Sequence, residues 1–226
     1  MASAYIAWYL FFAGAGAGAF AIASVVDFAL RLDPRPHLLK IAPITDIGMV
    51  LGPIMVAVGC VFLLLDLGDP SIAFNVFLRP LSILGLGSWA IALFCLFAAL
   101  SLAFGLMSHC RASKLIEPLS QFLAMVLSFV VILYSGVFYS LFPSVPFLNT
   151  PLVPALFTAS AFSSGAGLLV VVGFFRQTCE GVLEGMNGLS AIDAVIVLVE
   201  ILLLTALLAR PVLISESDAS LSAFAL

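Results

Sequence analysis

The chain has 226 residues, of which 64% are hydrophobic and 9% are charged, and its formal net charge is −4. Its mean hydropathy is +1.29. A water-soluble globular domain carries about 25% charged residues, so this composition excludes the soluble classes and predicts an integral membrane protein. We therefore expect membrane lipid, and no nucleic acid, among its partners.

Six apolar runs are long enough to cross a bilayer, because about 20 helical residues span the hydrocarbon core of roughly 30 Å. They lie at about 5–30, 44–65, 81–107, 118–140, 152–175 and 191–209, and a polar tail follows at 210–226. The first run is too long for a signal peptide, and no basic segment precedes it. The predicted fold is an all-α integral membrane protein, in which residues 1–226 form one transmembrane domain with a bundle of about six helices.

The basic residues are distributed unevenly between the connections. Six fall in the first, third and fifth connections, namely Arg31, Arg35, Lys40, Arg111, Lys114 and Arg176. Only Arg79 and Arg210 fall on the other side. Because cytoplasmic loops are enriched in Lys and Arg, this bias predicts that the N-terminus and the C-terminus are both outside. The expected location is the cell inner (cytoplasmic) membrane, with the chain as a multi-pass protein.

An uncharged stretch at 134–167 contains two apolar runs that meet at a proline-rich corner. Its prolines are Pro143, Pro146, Pro151 and Pro154. Since proline does not continue a helix interior, we expect a non-helical link at about 142–150. Hydroxyl groups flank the corner on both sides: Tyr134, Ser135, Tyr139, Ser140, Thr158, Ser160, Ser163 and Ser164. An unpaired hydroxyl is costly in lipid, so these groups are predicted to face protein or a pocket.

The predicted topology gives the scattered polar residues two locations. Residues toward the outer face are Trp8, Tyr9, Asp66, Arg79, Tyr134, Tyr139 and Thr158. They predict a pocket in the outer half of the bundle, with Tyr134 opposite the small-residue face of the fifth helix. Four carboxylates lie deeper or toward the inner face: Asp27, Asp46, Asp193 and Glu200. Intramembrane carboxylates usually mark proton or ion routes, so these four are candidates for a proton route.

An ordered set of motifs then resembles one membrane-protein family. The motifs are YLFFAGAGAGAF, LLLDLGDP, FLRPLSILGLGSW, YSGV before the proline corner, LFTASAFSSGAG and DAVIVLVEILLL. Together they resemble the NrfD/PsrC family, the polysulfide reductase-type membrane anchor subunits, over residues 5 to about 209. The chain departs from the family pattern in two ways. It has six apolar runs where the family usually has eight helices, and its LDLGDP motif has Asp69 where the family more often has Arg.

The resemblance implies a function in anaerobic respiration and electron transport. Family members are haem-free quinone-binding anchors of an oxidoreductase complex, and they hold a four-cluster iron-sulfur subunit and, through it, a molybdopterin catalytic subunit. The implied function is to pass electrons between the quinone pool, menaquinone or ubiquinone, and the iron-sulfur partner. The expected quinone-binding residues are Tyr134, Asp66, Trp8, Arg79 and Ser163. Tyr134 is expected to bond a quinone oxygen and Asp66 to accept a proton.

Several of these motifs have simpler interpretations. The GAGAG run lies inside an apolar helix with no preceding strand, so close helix packing is favoured over a phosphate-binding loop. Asp66 can cap its helix or pair with Arg79, and Tyr134 can be an interfacial anchor. Glu200 can equally satisfy a neighbouring helix by hydrogen bonding.

We expect neither haem nor metal in this chain. His37 and His109 fall in or next to connections, whereas a membrane b-type haem usually takes two histidines from within helices. The four cysteines, Cys60, Cys95, Cys110 and Cys179, form no CxxC pair. Any metal centre is thus expected in a partner.

Two other functions remain open from the residues. Intramembrane acids and glycine-rich helices also suit a small secondary transporter or channel component, although the first three runs do not visibly repeat in the last three. A purely structural membrane anchor is the other alternative. The terminal substrate of the complex and the direction of electron flow are not encoded in this chain.

Overall fold

The computed structural model describes residues 4–33, 42–67, 78, 82–106, 113–140, 150–175 and 182–224. These residues form six helices in chain order: α1 (Ala4–Leu32), α2 (Ala42–Leu67), α3 (Ile83–Leu106), α4 (Ser113–Ser140), α5 (Leu152–Phe175) and α6 (Val182–Phe224). Each helix contains a segment of 22 to 29 residues that is long and apolar enough to span a membrane. The prediction of an all-α bundle of six transmembrane helices is confirmed.

The helix ends differ most from the predicted boundaries in α4 and α6. Helix α4 begins at Ser113, five residues before the predicted start at 118, and it contains Pro118. The predicted polar tail at 210–226 is helical as far as Phe224, so α6 has 43 residues. Loss of hydropathy ends a membrane span, but the backbone hydrogen bonds of a helix continue without it. Hydropathy therefore locates the span Gly188–Ala209 and not the end of the helix.

Part of the proline-rich corner lies outside the described residues, at 141–149. Its last two residues precede α5 and accept hydrogen bonds from the first turn of that helix. The N–H of Val153 donates to the carbonyl oxygen of Thr150 at 3.2 Å, and that of Ala155 donates to Pro151 at 3.4 Å. These bonds fix the start of α5, as expected after a proline turn.

Helix α1 lies at the centre of the bundle, and α6 lies at its edge. In α1, 67% of the apolar segment is buried, whereas in α6 only 6% is buried. Helix α1 packs against α2, α4 and α5, while α6 packs chiefly against α5. A central helix needs a surface that several neighbours can approach closely, and the small residues of α1 provide it.

The glycines of the GAGAG run make these close contacts. A Cβ atom added to Gly16 would lie 2.6 Å from the carbonyl oxygen of Gly52 in α2. One added to Gly18 would collide with the carbonyl oxygen of Ala161 in α5. Since only a residue without a side chain fits at these crossings, the helix-packing interpretation of the run is confirmed.

The larger core side chains lie between α1, α2, α3 and α4. Phe20 and Phe94 are fully buried and meet edge to face, with ring centroids 5.2 Å apart. Val56, Val131 and Ile132 belong to the same buried cluster. The core thus fixes α1 against three helices, and α1, α4 and α5 form a groove at one end of the bundle.

Candidate functional site

A groove of about 360 Å³ lies between α1, α4 and α5. Its lining residues are Ala7, Leu10, Phe11, Gly14, Ala15, Ile132, Ser135, Tyr139, Phe157, Ser160, Ala161 and Ser164. From Ala7 to Ala15 of α1, the groove extends over about 12 Å of helix rise. Its residues belong to the N-terminal half of α1, the C-terminal half of α4 and the stretch 157–164 of α5. They occupy one end of the bundle, the end that the charge bias predicts to be outer.

Small residues create the space in this groove. Gly14 of α1 faces Ala161 of α5, and a Cβ atom added to Gly14 would lie 3.6 Å from the Cβ of Ala161. That distance is an ordinary contact, so the helices are slightly farther apart here than at Gly18. The groove opens where this separation begins, and its walls are mostly apolar.

Four hydroxyl groups line the groove, and two of them donate to their own helix. Ser135 donates to the carbonyl oxygen of Val131 at 2.9 Å, and Ser164 donates to that of Ser160 at 2.7 Å. The oxygen atoms of both serines can still accept a hydrogen bond from a ligand. Such back-bonding lets a serine lie in an apolar helix without an unpaired donor.

Ser160 and Tyr139 supply the other two hydroxyls. Among the described residues, the Ser160 hydroxyl makes no hydrogen bond, so it is available as a donor to a ligand. The ring of Tyr139 packs against Phe157, with centroids 5.4 Å apart. The groove therefore offers both a hydrogen-bond donor and several acceptors in an apolar setting.

Tyr134 lies on the opposite side of α4 from this groove. Its ring covers Gly87 of α3 so closely that a Cβ atom on this glycine would collide with the ring. It also stacks with Phe138 at 5.9 Å and lies within electrostatic range of Tyr9. The expectation that Tyr134 faces the fifth helix is wrong, because the absent side chain of Gly87 lets the ring pack against α3.

The other residues of the expected site are separated from the groove as well. Trp8 is 52% exposed and stacks with Phe12 and Phe62, at 6.1 and 6.3 Å, on the side of α1 that faces α2. Asp66 is half-buried near the end of α2, one helical turn after Phe62. Trp8 and Asp66 therefore lie on the same side of the bundle, away from the groove.

Ser163 is half-buried on α5 but does not line the groove, and Arg79 lies outside the described residues. The expected site is thus not assembled as one pocket by the part of the chain that the structure describes. The groove instead uses other members of the hydroxyl set that the sequence identified. Ser160 and Ser164 line the groove, whereas Ser163, about 60° around the helix from Ser160 and about 100° from Ser164, does not. Spacing along the sequence does not separate these serines, because residues three and four apart share a helix face.

A second, wider groove lies on the other flank of α5. Its volume is about 620 Å³, and it is lined by Leu133, Pro154, Ala155, Thr158, Ala159, Phe162, Val195, Ile196, Val199 and Leu203. The Thr158 hydroxyl donates to the carbonyl oxygen of Pro154 at 2.7 Å, so this groove presents an almost wholly apolar surface. Such a surface fits an acyl or isoprenoid chain.

At the opposite end of the bundle, Asp27 belongs to a cluster of charged and amide groups. Arg31 bonds Asp27 at 2.7 Å and Glu117 at 2.6 Å. The amide of Gln121 donates to Asp27 at 3.0 Å and accepts from Arg31 at 3.2 Å. These contacts join the C-terminal end of α1 to the N-terminal part of α4, so Asp27 is paired with a cation.

Sequence reasoning missed Glu117 and Gln121 in this cluster. Both pairs, Asp27 with Arg31 and Glu117 with Gln121, have the spacing that places two side chains on one helix face, which is the signal that was available. Asp46 is exposed at the start of α2. It lies within electrostatic range of Asp27 and makes no bond to it. Two of the four candidate proton-route acids, Asp27 and Asp46, thus lie near each other.

Asp193 and Glu200 lie on α6, which packs chiefly against α5. Both are half-buried, and their neighbours along the helix are mostly exposed. The Oδ1 atom of Asp193 is buried and has no hydrogen-bond partner within the described ranges. The four acids therefore do not form one continuous route in the described part of the molecule.

No group of three His, Cys, Asp or Glu side chains that could hold a metal ion occurs among the residues described here. Cys60 and Cys95 are free thiols. His37, His109, Cys110 and Cys179 lie outside the described residues. The expectation of a haem-free and metal-free chain stays a prediction.

Comparison with known proteins gives the family. The model of the family described as "Polysulphide reductase, NrfD" matches residues 3–226. The sequence is also similar to the C subunit of polysulfide reductase from Wolinella succinogenes, with 29% identity over 219 residues, which is 88% of this chain and 66% of that protein. No solved structure matches the chain. With six membrane-spanning helices and a match over nearly its whole length, the chain is a multi-pass membrane protein that belongs to the polysulphide reductase NrfD family.

Proposed function

We propose that this chain is the quinone- or quinol-reactive membrane subunit of a multisubunit molybdopterin/iron-sulfur oxidoreductase. The single observation that carries this function is the groove between α1, α4 and α5, which combines apolar walls with four hydroxyl groups. Its volume of about 360 Å³ falls within the usual range for small-molecule sites, roughly 300–1,000 Å³. The name of the Wolinella succinogenes relative, a polysulfide reductase subunit, supports a place in a reductase complex.

The hydroxyl groups suit both redox forms of such a ligand. A quinone presents carbonyl oxygens, which need donors, and Ser160 has a hydroxyl available to donate. A quinol presents hydroxyl groups, which need acceptors, and the oxygens of Ser135 and Ser164 are available to accept. Tyr139 contributes a phenol beside them, and its ring packs on Phe157 to form one wall of the groove.

Proton transfer needs a further group, since a quinol that loses two electrons also loses two protons. The lining of the groove contains no carboxylate among the described residues. Asp66, which is half-buried near the end of α2 and away from the groove, is the proposed acceptor for a ligand at a second candidate position on that side of the bundle. Tyr134, together with Asp66, Trp8, Arg79 and Ser163, remains the second candidate for the ring-binding position.

The partners follow from the same proposal. An iron-sulfur subunit would dock on the connections at the groove end of the bundle and exchange electrons with the bound quinone, either menaquinone or ubiquinone. A molybdopterin subunit would carry the terminal reaction. The complex would lie in the cell inner membrane, with the groove end facing outward.

A pair of phenylalanine variants tests the function and the position together. The chain, purified from its native membranes and placed in lipid nanodiscs, is titrated with the quinone analogue 2-heptyl-4-hydroxyquinoline N-oxide, whose fluorescence is quenched on binding. Tyr139→Phe removes one hydroxyl from the groove and should weaken binding about three- to tenfold, the range for one hydrogen bond. Tyr134→Phe keeps its packing on Gly87 and should change binding less than twofold.

The reverse result, with loss only in Tyr134→Phe, would move the ligand to the second candidate position. Extraction of the purified wild-type chain should also yield bound quinone. Absence of both extractable quinone and saturable binding of the analogue would overturn the proposed function.

A further inference from the structure

Helix α6 presents most of its span to the membrane. Only 6% of its apolar segment is buried, and its main neighbour is α5. Its exposed side chains include Ile192, Val195, Leu198, Ile201, Leu202 and Leu208. An apolar helix surface of this kind is stable in lipid without any partner. The apolar side chains alone therefore say nothing about what covers α6.

Two carboxylates make α6 different from a simple lipid-facing helix. Asp193 and Glu200 lie 5 and 12 residues after Gly188, the start of the span, or about 8 and 18 Å into it. They are seven residues apart, so both point to the same side of the helix. The Oδ1 atom of Asp193 is buried and has no hydrogen-bond partner within the described residues. A carboxylate at this depth is expensive in hydrocarbon unless another group pairs with it.

The contact with α5 shows which side of α6 the two acids occupy. Leu189 and Leu207 are buried, and Asp193, Ile196, Glu200 and Leu203 are half-buried between them. The groove residues Val195 and Val199 lie on one side of this contact line. Val197 and Leu204, which are both exposed, lie on the other side and next to the acids. We call the stripe formed by Asp193, Val197, Glu200 and Leu204 the acidic flank.

We propose that the acidic flank is the docking surface for a transmembrane helix of another subunit, and that this helix carries a basic side chain, Lys, Arg or His, at the level of Asp193 and Glu200. Charge complementarity is the reason. Two acids on an otherwise apolar helix select a partner that brings a cation, and pairing removes the cost of the buried carboxylate.

A second copy of this chain does not meet that requirement. Its eight basic residues are Arg31, Arg35, Lys40, Arg79, Arg111, Lys114, Arg176 and Arg210. None of them lies in the interior of a predicted span, so two copies joined through α6 would bring four carboxylates together without a cation. Lipid chains offer no hydrogen-bond donor, and lipid phosphates carry the same sign of charge as the acids.

Photo-crosslinking in native membranes tests the docking surface with a matched control. The crosslinker p-benzoylphenylalanine is placed at Val197, on the acidic flank, or at Val195, which is two residues away and about 160° around the helix. The two side chains are 37% and 64% exposed, so the control is the more accessible site. We expect Val197 to capture a membrane-spanning polypeptide at least fivefold more efficiently than Val195. Mass spectrometry then identifies the captured polypeptide and the crosslinked position.

The sequence of the captured segment decides the proposal. A span with Lys, Arg or His within about one helical turn of the crosslink supports it. Capture of a second copy of this chain, of a span without a basic residue, or of lipid alone at both positions overturns it.

A variant of the two acids tests the charge pairing itself. Asp193→Asn with Glu200→Gln keeps the side-chain shape and removes the negative charge, so the yield at Val197 should fall at least fivefold. The amount of protein in the membrane and the Val195 reaction report on folding, and Glu200→Gln alone serves if the double variant does not accumulate. An unchanged yield in a variant that accumulates normally would also overturn the proposal. These outcomes do not depend on quinone binding, which the titration above measures separately.

Discussion

Polar side chains are paired differently at the two ends of the bundle. In the groove at one end, the polar side chains are four uncharged hydroxyls, and two of them donate to a carbonyl of their own helix. At the opposite end, Asp27, Arg31, Glu117 and Gln121 bond one another across α1 and α4. The first arrangement leaves donors and acceptors for a ligand, whereas the second uses most of its bonding groups internally.

This difference separates a ligand site from a structural contact. The guanidinium of Arg31 bonds two carboxylates and an amide, so it holds α1 against α4 and has few donors left for a ligand. The hydrogen bonds of the groove join neutral groups and are weaker than those of Arg31, and the groove has space beside them. A ligand can therefore form hydrogen bonds with the groove hydroxyls. We therefore expect changes at the charged end to alter stability, and changes at the groove to alter binding.

The largest expected effect is all-or-none and concerns which end is outer. Single cysteines at Ser3 and Ser222, in a protein freed of its native cysteines, should react with a membrane-impermeant maleimide in intact spheroplasts. The reason is the excess of Lys and Arg in the first, third and fifth connections. A cysteine at Ala112, in the third connection, is the matched control and should react only after lysis. Protection of both termini together with labelling at Ala112 would reverse the assignment of the two ends.

A glycine substitution where α1 crosses α5 should lower the stability of the whole bundle. Gly18→Ala places a Cβ atom against the carbonyl oxygen of Ala161, so α1 and α5 must move apart, at a cost of roughly 1–3 kcal/mol or more. Gly14→Ala, on the same face one turn earlier, makes only an ordinary contact and should be nearly neutral. Thermal unfolding of the purified protein in detergent measures both. Equal losses of stability in the two variants would contradict the close approach at Gly18.

A change in the charged cluster should lower stability without altering the groove. Arg31→Gln leaves Asp27 and Glu117 without their cation and should cost about 1–3 kcal/mol, between the values for exposed and buried ion pairs. Asp46→Asn, at an exposed position beside the cluster, should cost less than about 0.5 kcal/mol, as for most surface substitutions. Binding of the quinone analogue by Arg31→Gln should match wild type below its unfolding temperature. A binding loss as large as that of Tyr139→Phe would mean that the two ends are coupled.

Much of the fold was predictable because one physical constraint dominates it. The length and apolarity of each run locate the spans, and the small residues of GAGAG indicate close packing. The end of α6 was not predictable in the same way, because hydropathy reports on the membrane and not on the helix. Nor does the sequence indicate that α1 lies at the centre, since every span is apolar and centrality depends on which neighbours meet its glycines.

The site was predictable as a region but not as a set of side chains. The sequence identified the hydroxyl groups near the proline corner, and four of them line the groove. It favoured Tyr134 over Tyr139, although both are tyrosines near the C-terminal end of α4, and the two occupy different faces of that helix. The packing of the Tyr134 ring depends on Gly87, a residue of α3 whose missing side chain makes room for it. The Arg31 cluster was likewise missed because its partners come from α4.

The smallest expected effect concerns a single donor in the groove. Ser160→Ala removes the hydroxyl that has no partner among the described residues, so it should not destabilise the protein. A ligand that accepts from this hydroxyl would lose one hydrogen bond, about 1 kcal/mol or roughly fivefold in affinity. Ser163→Ala is the matched control, because it makes the same change on α5 at a residue that does not line the groove, and its affinity should stay near wild type. Titration with the same quinone analogue measures both variants. If Ser163→Ala weakened binding and Ser160→Ala did not, the ligand would lie outside the groove, on the adjacent face of α5. The serine hydroxyls that line the groove would then only satisfy their own hydrogen bonds within a membrane helix.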